Sequence, residues 1–318
     1  MTTSAAPHIT VVIPVFDGEQ TLGELATRLS DVLSADDEVI FVEDCSTDAS
    51  WAVITDIVAD HPPWRGIQLG RNSGQHGALL AGIRAAENAV IVTMDDDLQH
   101  PPEQIPSLVA ALTPDTDVVY GVSIVEEHAA ARSFASRAVK RILRRSLGVV
   151  HAENISALRC FRTQLREAFE MVNDPYVSID VLLSWSTSRV TSVSVEMAPR
   201  ASGTSGYTSR SLVRHAINMI TGYSVAPLRV VAYLGLLLGA LGLATLLYVL
   251  IRWLLGQTTV AGFTFLASLL SVVGGMQMIA IAVIGEYLAR VHFRTMRRPS
   301  YFVRNEVGRD DLSGRHGD

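Results

Sequence analysis

Lysine is almost missing from this 318-residue chain: Lys140 is the only one, and arginine carries the rest of the positive charge. Cysteine is nearly as scarce. Cys45 and Cys160 stand alone without metal-ligand spacing, which excludes a thiolate metal cluster and leaves two reduced, structural thiols for a cytoplasmic domain. No apolar run opens the sequence, so it reads as lacking a signal peptide. A surplus of positive charge is also absent; the formal net charge of −6 argues against a general nucleic-acid binder. Near His76 and His100 no second histidine sits at ligand spacing, so both are expected to form local hydrogen bonds.

Apolar residues, by contrast, make up 48% of the chain, and they are unevenly spread. Val230 to Ile251 and Ala261 to Ile284 contain no charged residue. Each run exceeds the ~20 residues that cross a ~30 Å hydrocarbon core, and a buried soluble helix rarely stays uncharged on every face. The short connection, about Trp253 to Val260, predicts a transmembrane hairpin. Arg210, Arg214 and Arg229 precede the first run, Arg290, Arg294, Arg297 and Arg298 follow the second, and the connecting side has only Arg252 at its border. The positive-inside rule then places both termini and the first two-thirds of the chain in the cytoplasm.

That first part alternates strand-like and helix-like segments. Strands are expected at 8–14, 38–43, 66–69, 89–94 and 117–120, and helices at 19–33, 50–59, 76–87 and 102–112. Such alternation predicts an α/β domain with a parallel sheet, whose ligands sit beyond the carboxyl ends of the strands. Three polar turns belong on that edge: 15–19, 43–48 and Asp95-Asp96-Asp97. Strand side chains alternate between faces, so Asp95 and Asp97 are expected to point the same way. Paired carboxylates there form a hard-oxygen site suited to Mg2+ or Mn2+ carrying a diphosphate. Asp96 has a second reading, as the cap of the helix that follows.

Between 121 and 150 the chain turns basic. Arg132, Arg137, Lys140, Arg141, Arg144 and Arg145 include several residues on one helical face. Either this is a solvated face, or it meets lipid headgroups or an anionic substrate. Tyr207–Ser224 mixes Leu212, Val213, Ile217 and Ile220 with Arg210, Arg214 and His215, and is expected to form an amphipathic interfacial helix, with ordinary core packing as the competitor. Residues 304–318 read as a loose polar tail.

Four ordered motifs carry a family resemblance: Ile13-Pro14-Val15-Phe16, Val42 to Asp48, Arg71-Asn72-Ser73-Gly74-Gln75-His76-Gly77-Ala78, and Met94 to Glu103. With the Arg200–Tyr207 segment and the paired apolar runs, the chain resembles glycosyltransferase family 2 over about residues 8–290, and within it the polyprenyl-phosphate glycosyltransferases. The resemblance implies a GT-A-type, Rossmann-like, mostly parallel sheet domain over 1–206, an interfacial helix over 207–224, two transmembrane helices over 225–288 and a basic cytoplasmic tail over 289–318. It implies a multi-pass protein of the bacterial inner membrane that moves one sugar, with inversion, from a nucleotide-sugar to a polyprenyl phosphate of the undecaprenyl type. A UDP-sugar is favoured, UDP-glucose first, with GDP-mannose open; a homo-oligomer is left open. Pro14, Phe16, Asp17, Asp44, Asp95, Asp96 and Arg200 would bind the nucleotide-sugar, and Asp95, Asp97 and Gln99 the divalent metal. Arg132 and Arg137 would meet the acceptor phosphate, and Asp95, Asp97 and Arg137 would be the catalytic set.

The chain departs from the family pattern at several places. Glu43 and Cys45 replace the first aspartate and the glycine of an Asp-Asp-Gly-Ser turn, and Gly18 stands where glutamate is frequent. Ser123 stands at a frequent arginine, Ala157 at an aspartate, and Gly206 at a frequent lysine. Two other readings stay open: transfer to a growing saccharide or another lipid, and a catalytically silent membrane scaffold, which the departures at Glu43, Ala157 and Gly206 motivate. No Gln-x-x-Arg-Trp motif follows, which argues against a processive polysaccharide synthase.

Overall fold

The structure is a computed structural model and describes residues 7–123, 155–170, 178–198, 226–255, 262–295 and 299–308. Its core is one eight-stranded sheet in the order β7-β5-β6-β4-β1-β2-β3-β8. The strands are β1 Ile9–Val15, β2 Glu38–Glu43, β3 Arg65–Leu69, β4 Val90–Thr93, β5 Val118–Ser123, β6 Arg159–Arg162, β7 Val190–Val195 and β8 Val303–Val307. The run β4-β1-β2-β3 is parallel, as the alternation of segments predicts. The sheet as a whole is mixed, because β6 runs antiparallel to β4 and β5, and β8 antiparallel to β3.

Helices α1 Leu22–Val32, α2 Ser50–Asp60 and α4 Ile105–Ala111 cover one face, while α3 Gln75–Ala85 and α5 Ile179–Ser186 cover the other. Burial on both faces explains the near-continuous apolar strands. Val11, Ile13 and Val15 pack on the first side, Val12 on the second, and every residue of β1 is buried.

Two compact units divide the chain: Met1–Gly206 with Arg297–Asp318, and Tyr207–Met296. The second holds two long helices, α6 Ala226–Leu254 and α7 Phe263–Thr295. In α7 the 18-residue stretch Val272–Ala289 is long and apolar enough to cross a membrane and is unburied; α6 offers a shorter apolar stretch, Val230–Thr245. One spanning candidate is therefore present among the described residues, and the expected two-span hairpin goes beyond it.

The end of the chain corrects the sequence reading. The second long helix continues to Thr295, past the expected limit at 288, and residues 303–307 form an edge strand on β3 in place of a loose tail. Arg132, Arg137, Arg200 and Gly206, the basic stretch from Arg132 to Arg145 and the interfacial helix expected over 207–224 lie outside the described residues.

Candidate active site

Four parallel strands end on the same edge, and the turns that follow them enclose a cavity of about 310 Å³. Pro14, Val15 and Phe16 come from the end of β1, Asp44 from the end of β2, Asn72, Gly74 and Gln75 from the turn after β3, and Asp95, Asp96 and Asp97 from the turn after β4. Strand ends of an open α/β sheet are where such a ligand site is expected. The alternation argument for Asp95 and Asp97 needs correction. Strand β4 stops at Thr93, so the three aspartates lie in a turn closed by Leu98 at φ 61°, and all three face the cavity.

Each carboxylate is held differently. Asp95 Oδ1 accepts from Gln75 Nε2 at 2.5 Å. Burial raises its pKa, the charges of His100 and Arg159 pull the other way, and Asp97 adds to the rise. Asp97 Oδ1 accepts from the Gln99 backbone N–H at 3.1 Å. Asp96 is pushed up to about 7, first by burial and then by the charges of Asp95 and Asp97. Its Oδ2 is buried without a hydrogen-bond partner, packed under Gly18, where a Cβ would stand 2.5 Å from that oxygen. A larger residue at 18 would displace Asp96, which gives the departure at Gly18 a steric reason. The helix-cap reading of Asp96 is not realised; Pro101 precedes the 3-10 turn at Pro102–Gln104.

Other expected residues divide between the cavity and its supports. Phe16 is 50% exposed beside the carboxylates, an open aromatic face on which a base can stack. Asp44 Oδ1 accepts from the Ser73 amide at 2.6 Å. Burial raises Asp44 to about 6, against the Ser73 and Gly74 amides. Asp17 does not line the cavity: at φ 52° its Oδ1 accepts from the Thr47 amide at 2.8 Å, while its own amide donates to Ser46 Oγ at 3.1 Å. It laces two cavity turns together. Gln99 is likewise absent from the lining, and its backbone carbonyl accepts from the Ala198 amide at 3.0 Å. Glu43 is buried and reaches round to the Ser46 amide, tying the same turn.

The Arg71–Ala78 motif, which carries no site assignment in the sequence, supplies Asn72, Gly74 and Gln75 to the wall. The glycine at 74 was the available signal, since the turn takes φ +76° there, a conformation that favours glycine. Behind Asp95 lies a buried network. Arg159 Nε and Nη2 donate to Asp180 at 2.7 and 3.0 Å, Tyr120 donates to Asp180 at 3.1 Å, and Arg159 Nη1 donates to Thr93 Oγ1 at 3.2 Å. The Ala157 carbonyl accepts from Thr93 Oγ1 at 3.0 Å.

The cavity suits a divalent cation in a particular way. Asp95 and Asp97 are hard oxygen donors, and the buried, unpartnered Asp96 Oδ2 lies beside them. Among the described residues, no three Asp, Glu, His or Cys side chains gather as a ready-made cage. That fits Mg2+ or Mn2+ sharing one or two carboxylates with a diphosphate better than a structural ion.

The model of glycosyl transferase family 2 matches residues 10–169, which hold all of these strand ends. The chain is 32% identical over 306 residues to an undecaprenyl-phosphate 4-deoxy-4-formamido-L-arabinose transferase of Aeromonas hydrophila, covering 94% of each chain. It belongs to glycosyl transferase family 2. An enzyme of the same name from Pseudomonas fluorescens is 33% identical over 302 residues, 93% of this chain and 89% of that one. Among solved structures, this family 2 glycosyltransferase is similar to glucosyl-3-phosphoglycerate synthase of Mycobacterium tuberculosis in complex with Mn2+, UDP and glucosyl-3-phosphoglycerate. The TM-score is 0.51 at 16% identity, covering 68% of this chain and 78% of that chain. A complex of the same synthase with Mg2+ and UDP gives 0.51 at 17% identity, with 68% and 77% covered. These likenesses show the fold, a GT-A-like α/β mixed sheet.

Proposed function

We propose that this glycosyltransferase moves one sugar from a nucleotide-sugar, a UDP-sugar favoured, to a polyprenyl phosphate at a bacterial membrane. The observation that carries the reading is the cavity itself: an open aromatic face at Phe16, an acceptor at Asp44 and three carboxylates, all at the carboxyl edge of one parallel run. Relatives over nearly the full chain are named for undecaprenyl phosphate as acceptor. Their names bring 4-deoxy-4-formamido-L-arabinose in as a candidate sugar beside glucose. The apolar helices α6 and α7 supply a bilayer anchor, read as two spans with the catalytic unit on the cytoplasmic side.

The residues divide the work as follows. Phe16 and Asp44 bind and orient the nucleoside, while Asp95 and Asp97 would hold Mg2+ or Mn2+. When bound, that ion stabilises the charge growing on the leaving diphosphate as a Lewis acid. A phosphate monoester has a second pKa of ~6, so the acceptor arrives as an oxyanion and needs no strong general base. Ala157, at the family's aspartate position, therefore removes no necessary step; its backbone carbonyl still ties β4 to the loop before β6. Arg132, Arg137 and Arg200 remain the proposed phosphate contacts, since guanidinium forks suit phosphate. Displacement by the acceptor oxyanion inverts the anomeric carbon.

UDP titrated into the purified protein with Mn2+ tests the site. Asp97→Ala should weaken Mn2+-dependent UDP binding by about tenfold or more, equivalent to ~1.4 kcal/mol, with the melting curve unchanged. Equal binding by parent and variant would remove the metal assignment.

A further inference from the structure

We propose that the chain beyond the last long helix, Pro299–Val307, is a positioning element of the donor site and that Arg71 transmits its hold; the inference rests on the donor reading above. Because β8 runs antiparallel to β3, its first residues lie at the carboxyl edge, beside the turn that walls the cavity. Arg71 Nη2 donates to the Pro299 carbonyl at 2.8 Å and to that of Ser300 at 3.5 Å. The Gly70 amide donates to the Phe302 carbonyl at 2.8 Å. Gly70 is also pressed against the Phe302 ring, where a Cβ would stand 2.8 Å away. On the far side of the turn, Tyr301 lies under the Arg84 guanidinium of α3 at 5.7 Å from its ring centroid.

Between these anchors hang the groups that face the cavity. Asn72, Gly74 and Gln75 line it, the Ser73 amide donates to Asp44, and Gln75 donates to Asp95. The turn has left-handed backbone at Gly74 and local bonds from Ser73 Oγ to the Arg71 carbonyl and from the Gly74 amide to Asn72 Oδ1, both 3.2 Å, so it moves as a unit with the Arg71 end that Pro299 grips. Arg71 is not a lining residue; it acts through the turn. A charge-assisted hydrogen bond from a planar guanidinium fixes direction as well as distance, which suits it to holding one end of a five-residue turn. The segment Pro299–Val307 thus braces, from outside the cavity, the turn that forms part of its wall.

The test is amide hydrogen exchange on the full chain without ligand, followed by UDP titration. Arg71→Ala should speed exchange at Ser73 and Gly74 by about tenfold or more, while β1 and β2 amides keep their protection. It should weaken UDP binding by about tenfold with the acceptor KM and kcat within about twofold, and Arg71→Lys, which keeps one donor, should recover part of the affinity. Thr27→Ala, on α1, which loses a 3.0 Å bond from its hydroxyl to the Gly23 carbonyl of its own helix, should match the parent. Unchanged exchange at Ser73 in Arg71→Ala overturns the proposal. Faster exchange with unchanged UDP affinity instead overturns the placement of the nucleotide in this cavity. If Arg71→Ala does not fold, UDP added to the parent protein must slow exchange in 299–303 together with 71–77; no slowing at 299–303 overturns the proposal.

Discussion

At the residue scale, left-handed backbone at Asp17 and Cys45 shapes the turns beside the cavity. Asp17 shares the Pro-Val-Phe-Asp stretch with lining residues, yet a left-handed backbone turns it toward Thr47. Such turns are set by contacts between loops 30 residues apart, which no local pattern encodes. Cys45 also sits left-handed, at φ 61°, where glycine is the unstrained choice. Cys45→Gly should keep UDP affinity and melt no lower than the parent, whereas the β-branched Cys45→Val should lose about 1–2 kcal/mol; the reverse order in thermal melts would contradict the strain. Asp44 predicts a pH profile. Burial raises its pKa to about 6, so it is ionised above that pH and accepts the Ser73 amide, and it takes up a proton below it. The sign for stability is the opposite. Folding raises this pKa, so the contribution of Asp44 to stability declines as pH climbs from 3.8 through about 6. UDP affinity should fall as pH drops through about 6. Because the UDP phosphate titrates nearby (~6), the readout is the difference between parent and Asp44→Asn, and identical profiles would refute the role.

At the element scale, the strands and helices from β1 through β5 were legible because each core strand is apolar on both faces and each helix is bounded by polar turns. The later strands were not. Strand β6 is four residues long and inserts antiparallel between β4 and β5, a placement fixed by long-range pairing. Strand β8, Val-Arg-Asn-Glu-Val, is a polar edge strand whose pairing is by backbone, so hydrophobic periodicity passes over it. Strand β6 presents Arg159 to Asp180 of α5, and both are buried. Burial works to raise the Asp180 pKa, but the Arg159 charge and hydrogen bonds outweigh it and hold it below the usual range. A depressed carboxylate contributes stability that is complete above the unfolded value of 3.8 and lost as pH falls through the lower folded value. Asp180→Asn leaves a buried guanidinium without its counter-charge and should cost about 3–5 kcal/mol. Urea unfolding at neutral pH checks this, and a loss under about 1 kcal/mol would show that the pair is not structural.

At the scale of the whole molecule, the sheet gathers a carboxylate-rich cavity of about 310 Å³ at one edge, and the same chain carries one helix, α7, long and apolar enough to cross a membrane among the described residues. In the proposed function the three aspartates serve the leaving group and the apolar helices bring the site to a lipid acceptor. Neither scale alone gives that combination. The most direct measurement is transfer itself. The full chain in detergent is supplied with Mg2+ or Mn2+, undecaprenyl phosphate and a panel of radiolabelled UDP- and GDP-sugars, and label is followed into the lipid phase. Label from one donor should enter lipid in the parent and be lost in Asp97→Ala. No label from any donor, in a protein that also binds no nucleotide, would contradict the enzyme.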